Sequence, residues 1–303
     1  MKTLAVIGSI NMDMVTRVDR FPRPGETRTG RAFTTVPGGK GANQAVALGR
    51  LGADVRMLGC VGNDLFGRQY LQHFGENGVD PALVFVSEAQ GTGVAAIEVN
   101  DEGENHIVVV PGANGDCGPE WLDEALPRAL DADIFLLQLE IPLETVWAAI
   151  RKLKDAGKTV VLDPAPAVPL PAEVLKGLDY LTPNETELRV LTPELPEAAD
   201  AEARMRQLLA RGVQCVIHKS GADGAYIARA NEPTRHIPGF KVTPVDTTAA
   251  GDTFNAGLAL GLAQGLAFHE AVRLANAAAA LSVTALGAQG GMPTMEEVRR
   301  FLK

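Results

Sequence analysis

Three observations predict an α/β fold built on a central, mostly parallel sheet flanked by helices, with a small β-sheet lid beside it. Apolar runs of strand length alternate with segments of helical periodicity, and from residue 120 onward the alternation is regular. Hydrophobic residues make up 46% of the chain but aromatics only 5%, and 32 glycines supply tight turns, a balance that suits an alternating chain better than an aromatic-rich sandwich. The first apolar run ends in polar residues, as a strand buried on both faces does where it reaches the edge of its sheet.

Leu4 to Ile10 is that first strand. It is too short for a secretory leader and meets Asn11 and Asp13 without a small-residue cleavage pattern. Between residues 13 and 36, partial alternation at Val15, Arg17 and Val18, a turn at Pro22–Gly25 and strand formers from Thr27 to Thr35 predict a small exposed sheet. A helix from Gly41 to Arg50 leads to a strand at Ala53–Gly59, and Phe66–Glu76 reads as a helix. Two strands, Gly93–Val99 and His106–Val110, joined by the turn Asn100–Gly103, form a hairpin expected to pair with the 13–36 segment. A helix from Pro119, a strand at Ile134–Leu139, a helix at Leu143–Ala156 and strands at Thr159–Leu162 and Tyr180–Thr182 follow. A helix at 201–211, a strand at Val213–His218, a turn at Gly221–Gly224 and helices at Ala249–Leu262 and Glu270–Leu286 complete the chain, the last Ala-rich and expected to be buried. The sequence carries no internal repeat or low-complexity linker.

A net charge of −9 and a pI near 5.1, with no basic stripe, exclude nucleic acid as a partner, though helix N-termini can still bind a nucleotide. Cys60, Cys117 and Cys215 are odd in number and show no Cys-x-x-Cys spacing, so neither a disulfide framework nor a zinc site is expected and a reducing, cytoplasmic setting is. No run approaches the ~18 apolar residues of a membrane span. The five histidines show no ligand spacing.

The strongest chemical signal is Asp246-Thr-Thr-Ala-Ala-Gly-Asp-Thr-Phe-Asn255. Ala249, Ala250 and Gly251 precede a helix whose free N–H groups could converge on an anion, with Asp252 in the first turn as a proton acceptor for an attacking hydroxyl. Alone, that carboxylate could equally serve the helix dipole. Pro37-Gly-Gly-Lys-Gly-Ala-Asn43 is a second Gly-rich turn into a helix, without Walker spacing; Gly38 and Gly39 permit close approach of a ligand, and Lys40 and Asn43 are donors, though a plain turn explains the same residues. Asn11 and Asp13, and Glu140 after Leu139, sit at strand ends, where open α/β sheets bind ligands and where polarity is also ordinary. Asn184 and Glu187 stand at i, i+3 on entry to a helix; they suit Mg²⁺ held through waters, or simply a capped helix.

Taken in order, these segments resemble the PfkB carbohydrate kinase family over nearly the whole chain. The resemblance rests on Gly8–Asp13, Pro24–Thr27, Gly38–Ala45, Asp101–Asn105, Asp163–Pro166, Thr182–Glu187 and Asp246–Asn255. It implies a main kinase domain of residues 1–12, 37–90 and 111–303 and a lid of 13–36 and 91–110 that also forms a homodimer interface. It implies an ATP-dependent sugar kinase, with ribose the favoured acceptor and deoxyribose, fructose or a nucleoside the alternatives. A silent sugar-binding regulator is the reading from another class, and Asp252 with Gly251 argues against it. By the same resemblance Asn11, Asp13, Gly38, Gly39, Lys40, Asn43 and Glu140 would hold the sugar, Ala249 to Asp252 would form the anion hole and base, and Asn184 and Glu187 would organise MgATP. Lys219, Ser220, Gly221, Gly224 and Asn276 would line the adenine site, and K⁺ would bind near Asp246 and Thr248 with backbone groups from Val283 to Gly291. Two positions depart from the family pattern: Lys219-Ser220 replaces a frequent Thr-Leu, leaving the nucleotide choice open, and Gly291 lacks a side-chain oxygen near the cation.

Overall fold

The computed structural model describes residues 2–303; residue 1, at which the main domain is expected to begin, lies outside them. In chain order the elements begin with β1 (Leu4–Ile7), β2 (Asn11–Arg17), β3 (Ala32–Gly38), α1 (Lys40–Arg50), β4 (Val55–Gly62), α2 (Leu65–Glu76) and β5 (Val79–Ser87). Next come β6 (Gly93–Val99), β7 (Asn105–Val110), α3 (Pro119–Ala125), β8 (Ile134–Leu137), α4 (Leu143–Asp155), β9 (Thr159–Leu162), α5 (Ala172–Lys176), β10 (Tyr180–Leu181) and α6 (Glu185–Leu191). The last are α7 (Ala201–Ala210), β11 (Cys215–Lys219), β12 (Gly224–Arg229), β13 (Arg235–Pro238), α8 (Ala250–Ala263), α9 (Phe268–Ser282) and α10 (Met295–Phe301).

Nine strands form one sheet in the order β13-β12-β11-β10-β9-β8-β1-β4-β5, parallel from β5 to β11 and antiparallel at β12 and β13. Its central strands β1 and β8 are buried along their whole length. Ala5, Ile7, Phe135 and Leu137 point into one core with Leu122 of α3, Ile150 of α4 and Leu188 of α6, while Leu4, Val6, Ile134 and Leu136 point into the other with Val46 of α1 and Leu260 of α8. Each such leucine or isoleucine contributes ~1.5–3 kcal/mol from leaving water.

The second sheet, β3-β2-β6-β7, pairs β2 in parallel with β6 and otherwise antiparallel, so the hairpin joins the 13–36 segment as the sequence predicts. Its outer strands expose Phe33, Ile107, Val108, Val109 and Val110. Because β2 starts four residues after β1 ends, Asn11 and Asp13 fall where the chain passes from one sheet to the other.

The sequence did not mark β5, β12 or β13. Pro81 and Asp80 interrupt the first, and the other two mix polar and apolar residues on a sheet flank. The predicted helix 270–286 stops at Ser282, because the Val283 carbonyl accepts hydrogen bonds from the Val245 and Asp246 amides at 2.7 and 3.2 Å instead of continuing the helical ladder.

Candidate active site

Glu140, just beyond β8, organises the carboxyl edge of the sheet. Its Oε2 accepts from Ser9 Oγ at 2.6 Å and from the Lys40 amide at 3.0 Å, tying the end of β1 to the start of α1. The chain can make this approach only without side chains. Gly39 has φ +87°, and a Cβ on Gly41 would lie 2.6 Å from the Gly8 carbonyl carbon. Asn11 Oδ1 accepts from Asn114 Nδ2 at 2.7 Å, which leaves the Asn11 amide nitrogen free of that contact. Asp13 lies against the Gly38 backbone, where a Cβ would come within 2.3 Å of Oδ2. Burial, reinforced by the Glu140 charge and opposed by Lys40, pushes the Asp13 carboxyl up to about 7. Burial also works against the Lys40 charge, but the carboxylates of Asp252, Glu140, Asp163 and Glu187 outweigh it and raise this lysine above its ordinary range.

Asp252 faces the same group from α8. The helix is entered through Ala249, whose φ of 60° and ψ of 14° are left-handed and cost a non-glycine residue about 1 kcal/mol or more. That turn leaves the Gly251 and Asp252 amides without a backbone acceptor among the described residues, while the Ala250 amide donates weakly to the Thr247 carbonyl at 3.3 Å. The Asp252 carboxylate is 5% exposed and accepts from Asn43 Nδ2 at 3.0 Å and Gln44 Nε2 at 3.1 Å. Burial pushes it up to about 6; Lys40 and the two amides hold it down, and Asp163 adds to the rise.

On the other side of Gly251 a cleft of about 530 Å³ opens between β11, β12 and the helices α8 and α9. Lys219, Gly221, Gly224, Gly251 and Asn276 line it, with Phe240, Val242 and Phe254 among its apolar walls. Asn276 Nδ2 donates to the Ile237 and Pro238 carbonyls at 3.0 and 3.1 Å, fixing α9 to the end of β13. Ser220 is not part of the lining; its amide donates to the Gly224 carbonyl at 2.8 Å and closes the turn. Lys219 Nζ donates to Asp163 Oδ1 at 2.7 Å and stands 4.0 Å from Glu187 Oε2. Asn184 and Glu187 form the capping box of α6, Glu187 Oε2 accepting from the Asn184 amide at 2.7 Å and Glu187 Oε1 from Asn184 Nδ2 at 2.8 Å. Burial raises the Glu187 carboxyl, Lys219 opposes the rise and Asp163 adds to it. Among the described residues no three His, Cys, Asp or Glu side chains are arranged to hold a metal. Asp163 and Glu187, which stand beside Lys219 of the cleft lining, suit a magnesium ion held through water and phosphate oxygens, not an all-protein cage.

The expected monovalent-cation residues also come together. Asp246 Oδ1 accepts from the Thr248 amide and Oδ2 from the Gly287 amide, both at 2.9 Å, which outweighs burial and keeps this carboxyl low. The Val283 carbonyl already accepts two amides, so both its lone pairs are in use. Gly291 leaves no room for a side chain, since a Cβ there would lie 2.1 Å from the Ser282 carbonyl oxygen.

Residues 1–295 match the pfkB family of carbohydrate kinases. This chain belongs to that family. A ribokinase from Bacillus subtilis is 45% identical over 303 residues, covering the whole of both chains. A deoxyribokinase from Salmonella typhimurium is 37% identical over 99% of this chain and 98% of its own. The solved structure of an Arabidopsis thaliana ribokinase complexed with ribose and ATP superposes with a TM-score of 0.93 at 34% identity, covering 100% of this chain and 99% of that one.

Sequence reasoning missed several residues that shape the site of this pfkB-family chain. Gln44 Nε2 bridges Asp252 and Asp163 Oδ2, the latter at 3.0 Å, and Gln138 Nε2 fixes the Gln44 amide by donating to Oε1 at 2.7 Å. Gln289 Nε2 donates to Asn43 Oδ1 at 2.9 Å and to the Tyr70 hydroxyl at 2.8 Å. Asp163 directly follows buried β9, the same strand-end signal that marked Asn11 and Glu140. Gln44 lies inside the Gly38–Ala45 motif, which assigns it no role of its own, and Gln289 carries no comparable signal.

Proposed function

We propose that this chain transfers the γ-phosphoryl group of ATP to the 5-hydroxyl of D-ribose. The observation that carries the reading is the placement of Asp252, a buried carboxylate at the free-amide start of α8, between the Asn11, Asp13, Lys40 and Glu140 group and the 530 Å³ cleft. Asp252 takes the proton of the attacking hydroxyl as its oxygen bonds to phosphorus and the bond to ADP breaks. The Gly251 and Asp252 amides neutralise charge on the transferred group. Asn11, Asp13 and Lys40 orient the sugar through its hydroxyls, and the four-stranded sheet acts as the lid over it. Asn184, Glu187 and Asp163 would hold a hydrated Mg²⁺, which would offset phosphate charge.

The same reading extends to K⁺ activation. Asp246 tethers the loop that leads into Ala249–Gly251, and carbonyls of the 282–285 segment lie close to Gly291. The exposed apolar residues of β3 and β7 support a homodimer through the lid, and three buried free cysteines support a cytoplasmic setting. Deoxyribose is the second acceptor to weigh, because a deoxyribokinase is among the full-length relatives.

The test is a coupled assay over ribose, deoxyribose, fructose and nucleosides, with K⁺ titrated against a large organic cation at constant ionic strength. Ribose is expected to give the highest kcat/KM, and K⁺ to raise it. Turnover of none of these would overturn the kinase reading, and a flat K⁺ response would remove the cation from it.

A further inference from the structure

We infer that Lys219 is a cation for the phosphate chain of the bound nucleotide, so that this chain reads phosphate number as well as the base. The inference rests on the kinase reading above and concerns a position where the family pattern does not lead one to expect a charge.

Lys219 ends β11, and its backbone bridges to Asn184 at the N-cap of α6. The side chain is 12% exposed and lines the cleft. Its ammonium is held in place from behind: Asp163 Oδ1 is 2.7 Å away and Glu187 Oε2 is 4.0 Å away. In front stands the start of α8, where Nζ lies 3.3 Å from the position a Cβ would take on Gly251. One cation is therefore fixed directly over the glycine whose amide is free. An ammonium carries three donors, and Asp163 takes one of them.

Charge balance argues the same way. Asp163, Glu187 and Asp252 place three carboxylates around this end of the cleft, in a protein of net charge −9. A polyphosphate entering that field is repelled unless cations stand close by, and Lys219 is one that the protein itself supplies beside any bound Mg²⁺. Lys40 is drawn to Glu140 and Asp252 on the sugar side, and of the two lysines that line the cleft, Lys219 and Lys241, Lys219 is the one held against Asp163 and beside Gly251. If Lys219 only neutralised Asp163, its removal would bare that carboxylate, and removing both charges in Asp163→Asn/Lys219→Met would restore ATP binding; if it grips phosphate, the double variant stays weak.

The experiment measures binding without sugar or turnover, using AMP, ADP, ATP and inorganic tripolyphosphate with wild type, Lys219→Met, Lys219→Thr, Lys219→Arg and the double variant Asp163→Asn/Lys219→Met. Lys219→Met and Lys219→Thr are expected to bind ATP and tripolyphosphate about tenfold or more weakly, as loss of a charge-assisted hydrogen bond implies, with AMP within about twofold. Lys219→Arg is expected to stay near wild type. Thermal melts check folding, and Lys219→Thr carries the test if Lys219→Met fails that check. Equal weakening of AMP and ATP in a variant that melts like wild type, recovery of ATP affinity in Asp163→Asn/Lys219→Met, or unchanged ATP affinity in Lys219→Thr overturns the assignment while leaving the kinase reading standing. Failure of wild type to bind any nucleotide overturns both.

Discussion

Replacing Gln44 with leucine tests how the candidate base is tuned. Gln44 Nε2 is shared between Asp252 Oδ1 at 3.1 Å and Asp163 Oδ2 at 3.0 Å, and no other described side chain joins these two carboxylates. Burial pushes Asp252 up to about 6, and the Gln44 hydrogen bond is one of the contacts that hold it down. A hydrogen bond to a charged group is worth ~1.5–3 kcal/mol, and because this donor is divided the low end applies. One pKa unit corresponds to about 1.36 kcal/mol, so Gln44→Leu should raise the Asp252 pKa by about one unit. The sign follows from the role: only the ionised carboxylate can accept a proton, so activity is lost as pH falls through the pKa, and a higher pKa moves that loss to higher pH. At pH 6 about half of the wild-type base is ionised and about a tenth of the variant's, which gives a roughly fivefold drop in kcat/KM that vanishes above about pH 8.5. The assay is the pH dependence of kcat/KM for ribose from pH 5 to 9, with thermal melts to confirm folding. An acid limb that does not move, or a loss of equal size at every pH, would refute the claim that Gln44 tunes Asp252.

Asp252→Asn keeps the size of the side chain and removes the proton acceptor, so turnover should fall ~10²-fold or more while ribose and ATP still bind; retention of more than about a tenth of the wild-type rate would contradict a base role. Asp13→Ala should weaken sugar binding far more than ATP binding, as isothermal titration of each ligand would show, whereas equal losses would point to misfolding. Gly41→Ala places a Cβ 2.6 Å from the Gly8 backbone, where no flexible side chain can yield, so denaturant melts should show a loss of ~1–3 kcal/mol or more; an unchanged midpoint would mean that β1 and α1 can part freely.

Much of this molecule is legible without coordinates, because its signals are local. Strands buried on both faces read as short apolar runs, and β1, β8 and β9 begin where those runs begin, β1 stopping three residues and β8 two residues earlier than predicted. Polar residues directly after such strands, Asn11, Asp13, Glu140 and Asp163, are the ones that converge at the sheet edge. The order of the motifs sufficed for the family. Tertiary structure decided the remainder. The Gln44 bridge joins residues 119 and 208 positions away, beyond the reach of any periodicity. Ala249 takes a left-handed conformation that its residue type disfavours, and α9 ends at Ser282 because a distant loop takes the next carbonyl. A hydrophobic pattern records which face a residue buries, since burial follows from the repeat of its own element. It does not record which polar groups will meet once those elements are stacked, and here those meetings set the charge of the candidate base and the position of Lys219.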